Sequence, residues 1–450
     1  MKNINIKKYY QNEFLPLLLL ILFFLSFGLG PILINLSIFL MIMYLCLNFS
    51  SIKLEILDKI LIILGIYLLF ISLLNTNYFL NHFLFTKFLF LTLSMKIILK
   101  KISENYLKKF IKICSIFLIF LVIDLFYQKI FKVDIFGFKI PELGGRLTGP
   151  FNKLIPGTLV LYLGFYFFFY FYIIFLKENI ILKNLTSLIF LCFFTIAILI
   201  TGERMNFISS FFAVFLITFF TDRKKLHLSF MIISFLLCLF IIKNDKNLFP
   251  RYETFLLALK PELNHRIFNK SEIENFKNKE NISVINDKVK LNDEIKLSFL
   301  DTTWGAHYLS AFQLFKNKPF FGNGIKSFRD LCKNTIINSV RKDMRCSTHP
   351  HNIHLELLAE IGIVGYFIFI MLILIVFYKS IKIICKKNNF NKQTIFLLFG
   401  ASFILCATLL FPIKSSGRLS STFFGSLFWL NFSILYSLIH IINKNLKIKS

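Results

Sequence analysis

Residues Thr348 to Gly365 read THPHNIHLELLAEIGIVG. The stretch holds three histidines and an asparagine: His349, His351, His354 and Asn352. They stand at the start of a long apolar run, and such a run is what a helix needs to cross the hydrocarbon core of a bilayer. The stretch therefore predicts a membrane-spanning helix that begins with a polar cluster at one membrane face.

The rest of the chain predicts an all-α polytopic membrane protein. Of its 450 residues, 56% are hydrophobic and 17% aromatic, and the mean hydropathy is +0.69. Apolar runs of roughly twenty residues recur, which predicts about twelve transmembrane helices. They divide the chain into spans 1 to 9 in residues 1–242, a large loop domain in residues 243–353, and spans 10 to 12 in residues 354–450.

The distribution of lysines predicts how the spans are oriented in the membrane. The formal net charge is +28, and the lysines cluster in short loops between spans, which is the ordinary mark of the cytoplasmic side. Both termini are then cytoplasmic, and the long loop lies on the outer side of the membrane. Nucleic-acid binding is not expected, because no soluble domain presents the charge. The cytoplasmic loops contain no glycine-rich phosphate loop, so an activated substrate must reach the outer face already attached to a lipid.

Arginine follows a different pattern from lysine. Of the nine arginines, only Arg223 falls in a predicted cytoplasmic loop. A guanidinium holds phosphate oxygens with paired hydrogen bonds and keeps its charge at any working pH. Arg146, Arg204 and Arg418, in three separate outer turns, are therefore predicted to bind a diphosphate. Interfacial arginines also snorkel to lipid headgroups, and that alternative stays open for each of them.

The histidine cluster is the candidate catalytic centre. An imidazole titrates near neutrality and can accept a proton from a sugar hydroxyl that attacks an anomeric carbon. His351 is the first candidate for this role and His349 the second. Asn352, Glu356 and Glu360 recur every four residues along the same helix. Carboxylates in a span are costly, so the two glutamates either line a polar interior with a role or bond neighbouring arginines.

The long loop contains one clear helical pattern. An amphipathic helix is predicted from Thr302 to Lys316, capped by Thr302 or Thr303. Its apolar face is predicted to consist of Trp304, Tyr308, Ala311 and Phe315, with His307 beside that face. The loop part from Lys270 to Lys296 is rich in charge and poor in apolar residues, which is typical of a mobile insertion.

Two further predictions concern pairs of side chains. Cys332 and Cys346 are the only cysteines of the outer loop, and in an oxidising compartment they are predicted to form a disulfide. A metal site is not expected, because Cys346 with the nearby histidines lacks a suitable spacing and a fourth ligand. Lys87 and Asp124 lie at similar depths in their spans and are predicted to pair.

Residues 351–365 also carry a resemblance to a known family. HNIHLELLAEIGIVG resembles the signature of the O-antigen ligase and polymerase family. In that signature, His is followed directly by Asn, Ser or Gln. After nine further residues comes Gly, and after two more comes Gly, Thr or Tyr. His351, Asn352, Gly362 and Gly365 fit every position. The family's second motif is an Arg followed, after three residues, by a Leu. Arg204 with Ile208 is similar to this motif. The usual serine before that arginine is replaced by Glu203, which becomes a candidate assistant of the base.

The resemblance implies a metal-independent glycosyltransferase, without a cofactor, that takes a glycan from undecaprenyl diphosphate at the outer leaflet. The first expectation is an O-antigen ligase that acts on lipid A core. The alternatives are a polymerase that joins repeat units on the carrier lipid and, in another class, a flippase or transporter with polar residues along a pathway. The expected partners are the lipid-linked donor, lipid A core or another glycan acceptor, and membrane lipids.

Overall fold

The computed structural model describes residues 6–51, 54–141, 146–151, 154–162, 164, 166, 180–220, 224–253, 299–339, 341–385, 393–412 and 417–447. This part of the chain is helical and contains no β-strand, only an isolated β-bridge between Val133 and Lys139. The all-α prediction is confirmed for these residues. The predicted mobile insertion and most of the sixth predicted span (Pro156 to Leu176) lie outside them.

The helices follow the predicted apolar runs closely. Their bounds are α1 (Ile6–Leu29), α2 (Pro31–Leu47), α3 (Ile56–Leu74), α4 (Phe79–Lys101), α5 (Glu104–Phe131), α6 (Ile180–Ile200), α7 (Arg204–Ile217), α8 (Lys224–Asn244), α9 (Thr303–Asn317), α10 (Phe328–Leu331), α11 (Ile353–Cys385), α12 (Gln393–Leu409) and α13 (Thr422–Lys447).

Six of these helices are long and apolar enough to cross a membrane: α3, α4, α5, α8, α11 and α13. Five shorter apolar stretches lie in α1, α2, α6, α7 and α12. At about 1.5 Å rise per residue, the 14 residues of α7 extend only about 21 Å, less than a hydrocarbon core of about 30 Å. The count of twelve spans therefore stays a prediction.

Polar contacts show which helix ends share a face. Asp58, at the start of α3, pairs with Lys96 near the end of α4, with 2.6 Å between Oδ2 and Nζ. Its Oδ1 accepts a hydrogen bond from the Tyr436 hydroxyl of α13, also at 2.6 Å. The opposite end of the bundle, where α8 ends and α11 begins, is here called the loop face because residues 243–353 attach there.

The core of the bundle is centred on α13. In the most apolar part of α13, 89% of the residues are buried inside the protein, whereas the corresponding share in α8 is 17%. Trp429 of α13 is fully buried and stacks on Phe88 of α4, with ring centroids 5.8 Å apart and planes 7° apart. Helix α13 is therefore a central element, whereas α8 lies at the periphery.

The predicted pair of Lys87 and Asp124 is wrong. The Lys87 ammonium donates to Asn35 Oδ1 of α2 at 2.7 Å and lies over the Phe88 ring. Asp124 Oδ1 instead accepts the backbone N–H of Ile135 at 2.8 Å. Counting residues along two spans can show that two side chains lie at the same depth. It does not show that the two side chains point toward each other.

The loop helix α9 forms where the sequence predicts it. The Thr302 side chain caps it by accepting from the Gly305 N–H at 3.2 Å. The buried face differs from the predicted one: it is made of Gly305, Ala306, His307, Ser310, Ala311 and Leu314. His307 therefore lies within this face, because α9 packs against α11 rather than against lipid.

A glycine turn, residues Pro319 to Gly324, joins the loop to α11. Gly362 interrupts α11 with φ 67° and ψ −179°. Across this break, Ile363 N donates to Pro319 O at 2.7 Å and Gly324 N donates to Glu360 O at 2.8 Å. A side chain on Gly362 would come within 2.3 Å of a backbone oxygen of the turn. The turn and the first part of α11 thus contact each other backbone to backbone.

Candidate functional site

Three imidazoles meet on the loop face, just before α11. The ring of His351 stacks on that of His307 from α9, with centroids 5.2 Å apart, and lies 4.2 Å from that of His349. His351 has a left-handed backbone, with φ 60°, which is uncommon for a residue other than glycine. Such conformations persist where the surrounding structure requires them, and they concentrate at functional sites.

The segment bound by the disulfide holds His307 in place. Cys332 and Cys346 are joined in a disulfide, the pairing that the sequence predicts. The His307 imidazole hydrogen-bonds to the backbone of Met344 and Cys346. Its Nδ1 is buried and has no hydrogen-bond partner among the described residues. The disulfide therefore fixes the segment that positions His307 beneath His351.

The pKa of His351 is strongly lowered, from the ordinary 6.5 to about 4. Burial is the larger cause, because it disfavours the charged imidazolium, and the neighbouring His307 adds to it. Burial also lowers the pKa of His307. Both imidazoles are therefore neutral at pH 7, and a neutral imidazole can accept a proton.

The start of α11 is fixed by side chains around the histidines. Asn352 Oδ1 accepts from Leu355 N at 3.0 Å, and its Nδ2 donates to Pro412 O at 2.7 Å. Tyr308 of α9 hydrogen-bonds to the same asparagine. His354 is bonded on both sides, to the Tyr366 hydroxyl at 3.1 Å and to Leu410 O at 3.0 Å. Asn352 and His354 thus orient the segment that carries His351.

Three arginines gather around a second glycine, Gly202, at the start of α7. Gly202 has φ 72°, and a side chain there would lie 3.1 Å from Arg251 Nη1 and 3.6 Å from Arg146 Cγ. The charges of Arg146 and Arg251 both act on Arg204. Burial and the charge of Arg146 lower the pKa of Arg251. Three guanidinium groups that repel one another form a site that an anion stabilises.

The arginine cluster is linked to the imidazoles through α9. Arg204 donates from Nη1 to Arg251 O at 3.0 Å, and its guanidinium lies over the Trp304 ring at 5.4 Å from the centroid. Trp304 precedes His307 by three residues, and so by about one turn of the same helix. The structure thus connects the two predicted catalytic residues, Arg204 and His351, through one helix.

Glu203 belongs to the arginine side of the site. Its Oε2 accepts from Asn206 Nδ2 at 2.8 Å and from Thr158 Oγ1 at 3.4 Å. These bonds tie the turn before α7 to the stretch that follows Arg146. The contacts of His351 are with the other imidazoles, so the position of Glu203 favours a structural role in the turn over help to the base.

Arg418 lies on the histidine side, not with the other arginines. It donates to the Thr348 carbonyl and faces Glu356, with Nε 3.8 Å from Oε1. Its charge also acts on Lys326 and Glu360. Its contacts therefore differ from the prediction: Arg418 supports the loop before His351, and Arg251 takes the third place in the arginine cluster.

The two glutamates of α11 hold two different loops. Both are buried, with 1% of their surface exposed. Glu356 accepts the backbone N–H of Leu419, and Glu360 accepts those of Lys326 and Phe328. Of the two sequence readings, bonding to neighbouring groups thus has direct structural support. No group of three or more His, Cys, Asp or Glu side chains in the described ranges is arranged to hold a metal ion.

Arg251 is the site residue that sequence reasoning missed. It is one of eight arginines predicted outside, and it lies in a helical turn soon after α8, without a family mark. Only its neighbours in space single it out. The signal available in the sequence was weak: an arginine directly before Tyr252, soon after the end of a span.

Part of the chain is similar to a known family. Residues 188–370 match the model of a family described as O-Antigen ligase. The match includes Arg204, Arg251, His307 and His351, whereas Arg146 and Arg418 lie outside it. A search of curated proteins finds no match to the chain.

Proposed function

We propose that this protein moves a glycan from a lipid-linked diphosphate to an acceptor hydroxyl at the loop face. The match of residues 188–370 to the family described as O-Antigen ligase supports this proposal, because that family implies glycan transfer. The single observation that carries this proposal is the link from the arginine cluster through Trp304 and His307 to His351. It brings an anion site and a neutral base to one helix of the loop.

The arginine cluster is proposed to bind the donor diphosphate. Guanidinium groups bind phosphate oxygens through paired, charge-assisted hydrogen bonds. Arg146, Arg204 and Arg251 come from separate segments, so they can contact both phosphates of the donor. As the bond to the sugar breaks, negative charge grows on the leaving diphosphate, and the same three cations stabilise it in the transition state.

His351 is proposed to be the base. The acceptor hydroxyl oxygen forms the new bond to the anomeric carbon, and the bond from that carbon to the diphosphate breaks with its electron pair. The hydroxyl proton passes to the neutral imidazole of His351. A nearby diphosphate also favours the protonated imidazole, because an opposite charge raises the pKa of a base. Donor binding thus makes His351 more basic in the complex than in the free protein.

We further propose that the donor lipid is undecaprenyl diphosphate, that the acceptor is lipid A core and that no metal ion takes part. In this proposal the loop face is periplasmic and the membrane is the bacterial inner membrane. A polymerase, which joins repeat units on the carrier lipid, uses the same donor and the same bond changes. Only the product distinguishes the two: a glycan on lipid A core for a ligase, or longer glycans on the carrier lipid for a polymerase.

The test is a transfer assay with purified protein, labelled undecaprenyl-diphosphate glycan and lipid A core. Substitutions His351→Ala, Arg204→Ala and Arg251→Ala are expected to lower transfer at least about a hundredfold, the loss usual for a removed base or oxyanion partner. Arg329→Ala is the matched control, since Arg329 is an exposed arginine of the same loop. Movement of the lipid across vesicles without a new glycosidic bond would instead support a transporter.

A further inference from the structure

A second group of cations is linked to the histidine segment through Arg418, which donates to the Thr348 carbonyl. It consists of Lys87 of α4, Lys326 after the glycine turn, and Arg418 before α13. The charges of Lys87 and Lys326 interact, as do those of Lys326 and Arg418. Backbone contacts bring the elements together: Ile325 N donates to His82 Nε2 of α4 at 3.2 Å. The three residues are here called the second cation cluster.

The cluster carries more positive than negative charge. Glu356 and Glu360 are the acidic groups that act on it, and each also accepts backbone N–H groups of a loop. Three cations against two carboxylates leave an excess of at least one positive charge. The Lys326 ammonium makes no hydrogen bond or ion pair within the described part of the chain. Its backbone is left-handed, with φ 67°, which costs energy for a lysine.

The cluster opens toward the lipid side of the bundle. Asn35, the partner of Lys87, is exposed on α2. Around it, α2 and α4 expose apolar side chains: Ile32, Leu36, Leu80, Phe83 and Leu84. Asn35 lies four residues from the loop-face end of α2, about 6 Å along the axis. The Lys87 ammonium is therefore held near the level of lipid headgroups while its neighbours face acyl chains.

Both cation clusters are linked to the imidazoles. Arg204 connects to His307 through Trp304 and α9, and His307 stacks on His351. Arg418 of the second cation cluster donates to the carbonyl of Thr348, directly before His349, whose ring lies 4.2 Å from that of His351. In a displacement at the anomeric carbon, the acceptor hydroxyl attacks from the face opposite the leaving diphosphate, and the base lies beside the hydroxyl. Two separate anion sites linked to His351 fit a reaction between two anionic lipids.

We propose that Lys87, Lys326 and Arg418 bind the phosphate group of the acceptor lipid, so that its sugar reaches His351. The acceptor is therefore a phosphorylated glycolipid whose acyl chains lie along the exposed apolar surface of α2 and α4. This inference rests on the proposed function in one respect, that the bound lipid is the acceptor of the transfer. The binding site itself can be tested without any transfer.

Binding is measured with the full chain in nanodiscs of phosphatidylcholine. Diphosphoryl lipid A and its dephosphorylated counterpart are the probes. The phosphorylated form is expected to bind more tightly, and Lys87→Gln and Lys326→Gln are each expected to weaken its binding about tenfold, as for one lost charged contact. Lys318→Gln is the matched control, because Lys318 is an exposed lysine of the same face whose ammonium bonds Asn75 at 3.3 Å.

Three results would overturn the proposal. In the first, Lys87→Gln and Lys326→Gln bind diphosphoryl lipid A as tightly as Lys318→Gln does, and all three variants bind undecaprenyl diphosphate as the unaltered protein does. The second is equal binding of both lipid A forms by the unaltered protein. The third is equally tight binding of phosphatidylglycerol at the same lysines, which would assign the cluster to an ordinary anionic phospholipid.

Kinetics separate this proposal from the proposed function. Lys87→Gln and Lys326→Gln are expected to raise the KM for acceptor about tenfold and to leave the KM for donor unchanged. A rise in the KM for donor instead would place the lysines at the wrong substrate. If the unaltered protein transfers no glycan, the proposed function fails, and the binding comparison still decides whether the cluster holds a phosphorylated lipid.

Discussion

Replacing His307 with alanine should move the acid limb of the pH profile. His351 has a pKa of about 4 because it is buried and lies against the His307 ring, 5.2 Å away. His307→Ala removes the ring that covers His351 and the charge that acts on it. Both causes weaken, so the pKa of His351 returns toward 6.5, a rise of up to about 2.5 units.

The sign and size of the effect follow from the base being active only when neutral. At pH 5.5 a base with a pKa of about 4 is almost fully neutral, whereas one with a pKa of 6.5 is neutral in only about a tenth of the molecules. His307→Ala should therefore lose about tenfold more kcat/KM at pH 5.5 than at pH 8. His349, the other imidazole beside His351, is unchanged in this comparison.

The assay is kcat/KM for glycan transfer between pH 4.5 and 8.5, a range chosen at roughly two units on each side of an ordinary histidine pKa. His307→Phe is the control, since a phenyl ring keeps His351 buried and removes only the charge, which is the smaller cause. Its acid limb should shift by less than half as much. An acid limb in His307→Ala that coincides with that of the unaltered protein would refute the reasoning.

Three further predictions concern stability. Reductant should raise the intact mass by two hydrogen atoms, because it reduces the disulfide to two thiols. Replacing both cysteines, Cys332→Ser with Cys346→Ser, should lower the free energy of unfolding by about 2 to 4 kcal/mol; free thiols in the unreduced protein would contradict this. Gly362→Ala should destabilise the protein more than Ile363→Ala, a substitution at an exposed neighbour. The new methyl group at position 362 would lie 2.3 Å from a backbone oxygen, and the φ there is 67°. Thermal unfolding in detergent compares the two variants. Asp58→Ala should cost about 3 to 5 kcal/mol, because it leaves the partners of a fully buried carboxylate unpaired; unchanged unfolding would count against the pair.

The helices were predictable because the bilayer imposes a length. Uninterrupted apolar runs predicted the apolar parts of α3, α5, α11 and α13, since a helix alone satisfies its backbone groups in lipid. The polar ends by which α5, α11 and α13 extend beyond those runs were not predicted. The cap at Thr302 was predictable for the same local reason, as its side chain bonds its own helix. Such features depend on neighbouring residues in the chain, and the sequence contains them directly.

Contacts between distant segments were much less predictable. The sequence placed His351 and Arg204 on the same face but could not show that Trp304 and His307 connect them. It grouped Arg418 with Arg146 because both lie in outer turns, whereas the fold turns Arg418 toward Glu356. It matched Lys87 with Asp124 by depth alone. Depth follows from counting residues, but the direction in which a side chain points depends on the packing of whole helices.

The glycine turn is bonded to α11 on both sides of the break at Gly362. Before the break, Gly324 N donates to Glu360 O, and Tyr67 of α3 donates to Ile361 O at 2.6 Å. Directly after it, Ile363 N and Val364 N donate to Pro319 O and Phe320 O. A displacement of the turn would therefore be transmitted to the segment that carries His351 and to the span below it at once. Substitutions that remodel this part of the loop for a new acceptor are expected to require compensating changes in the packing of that span.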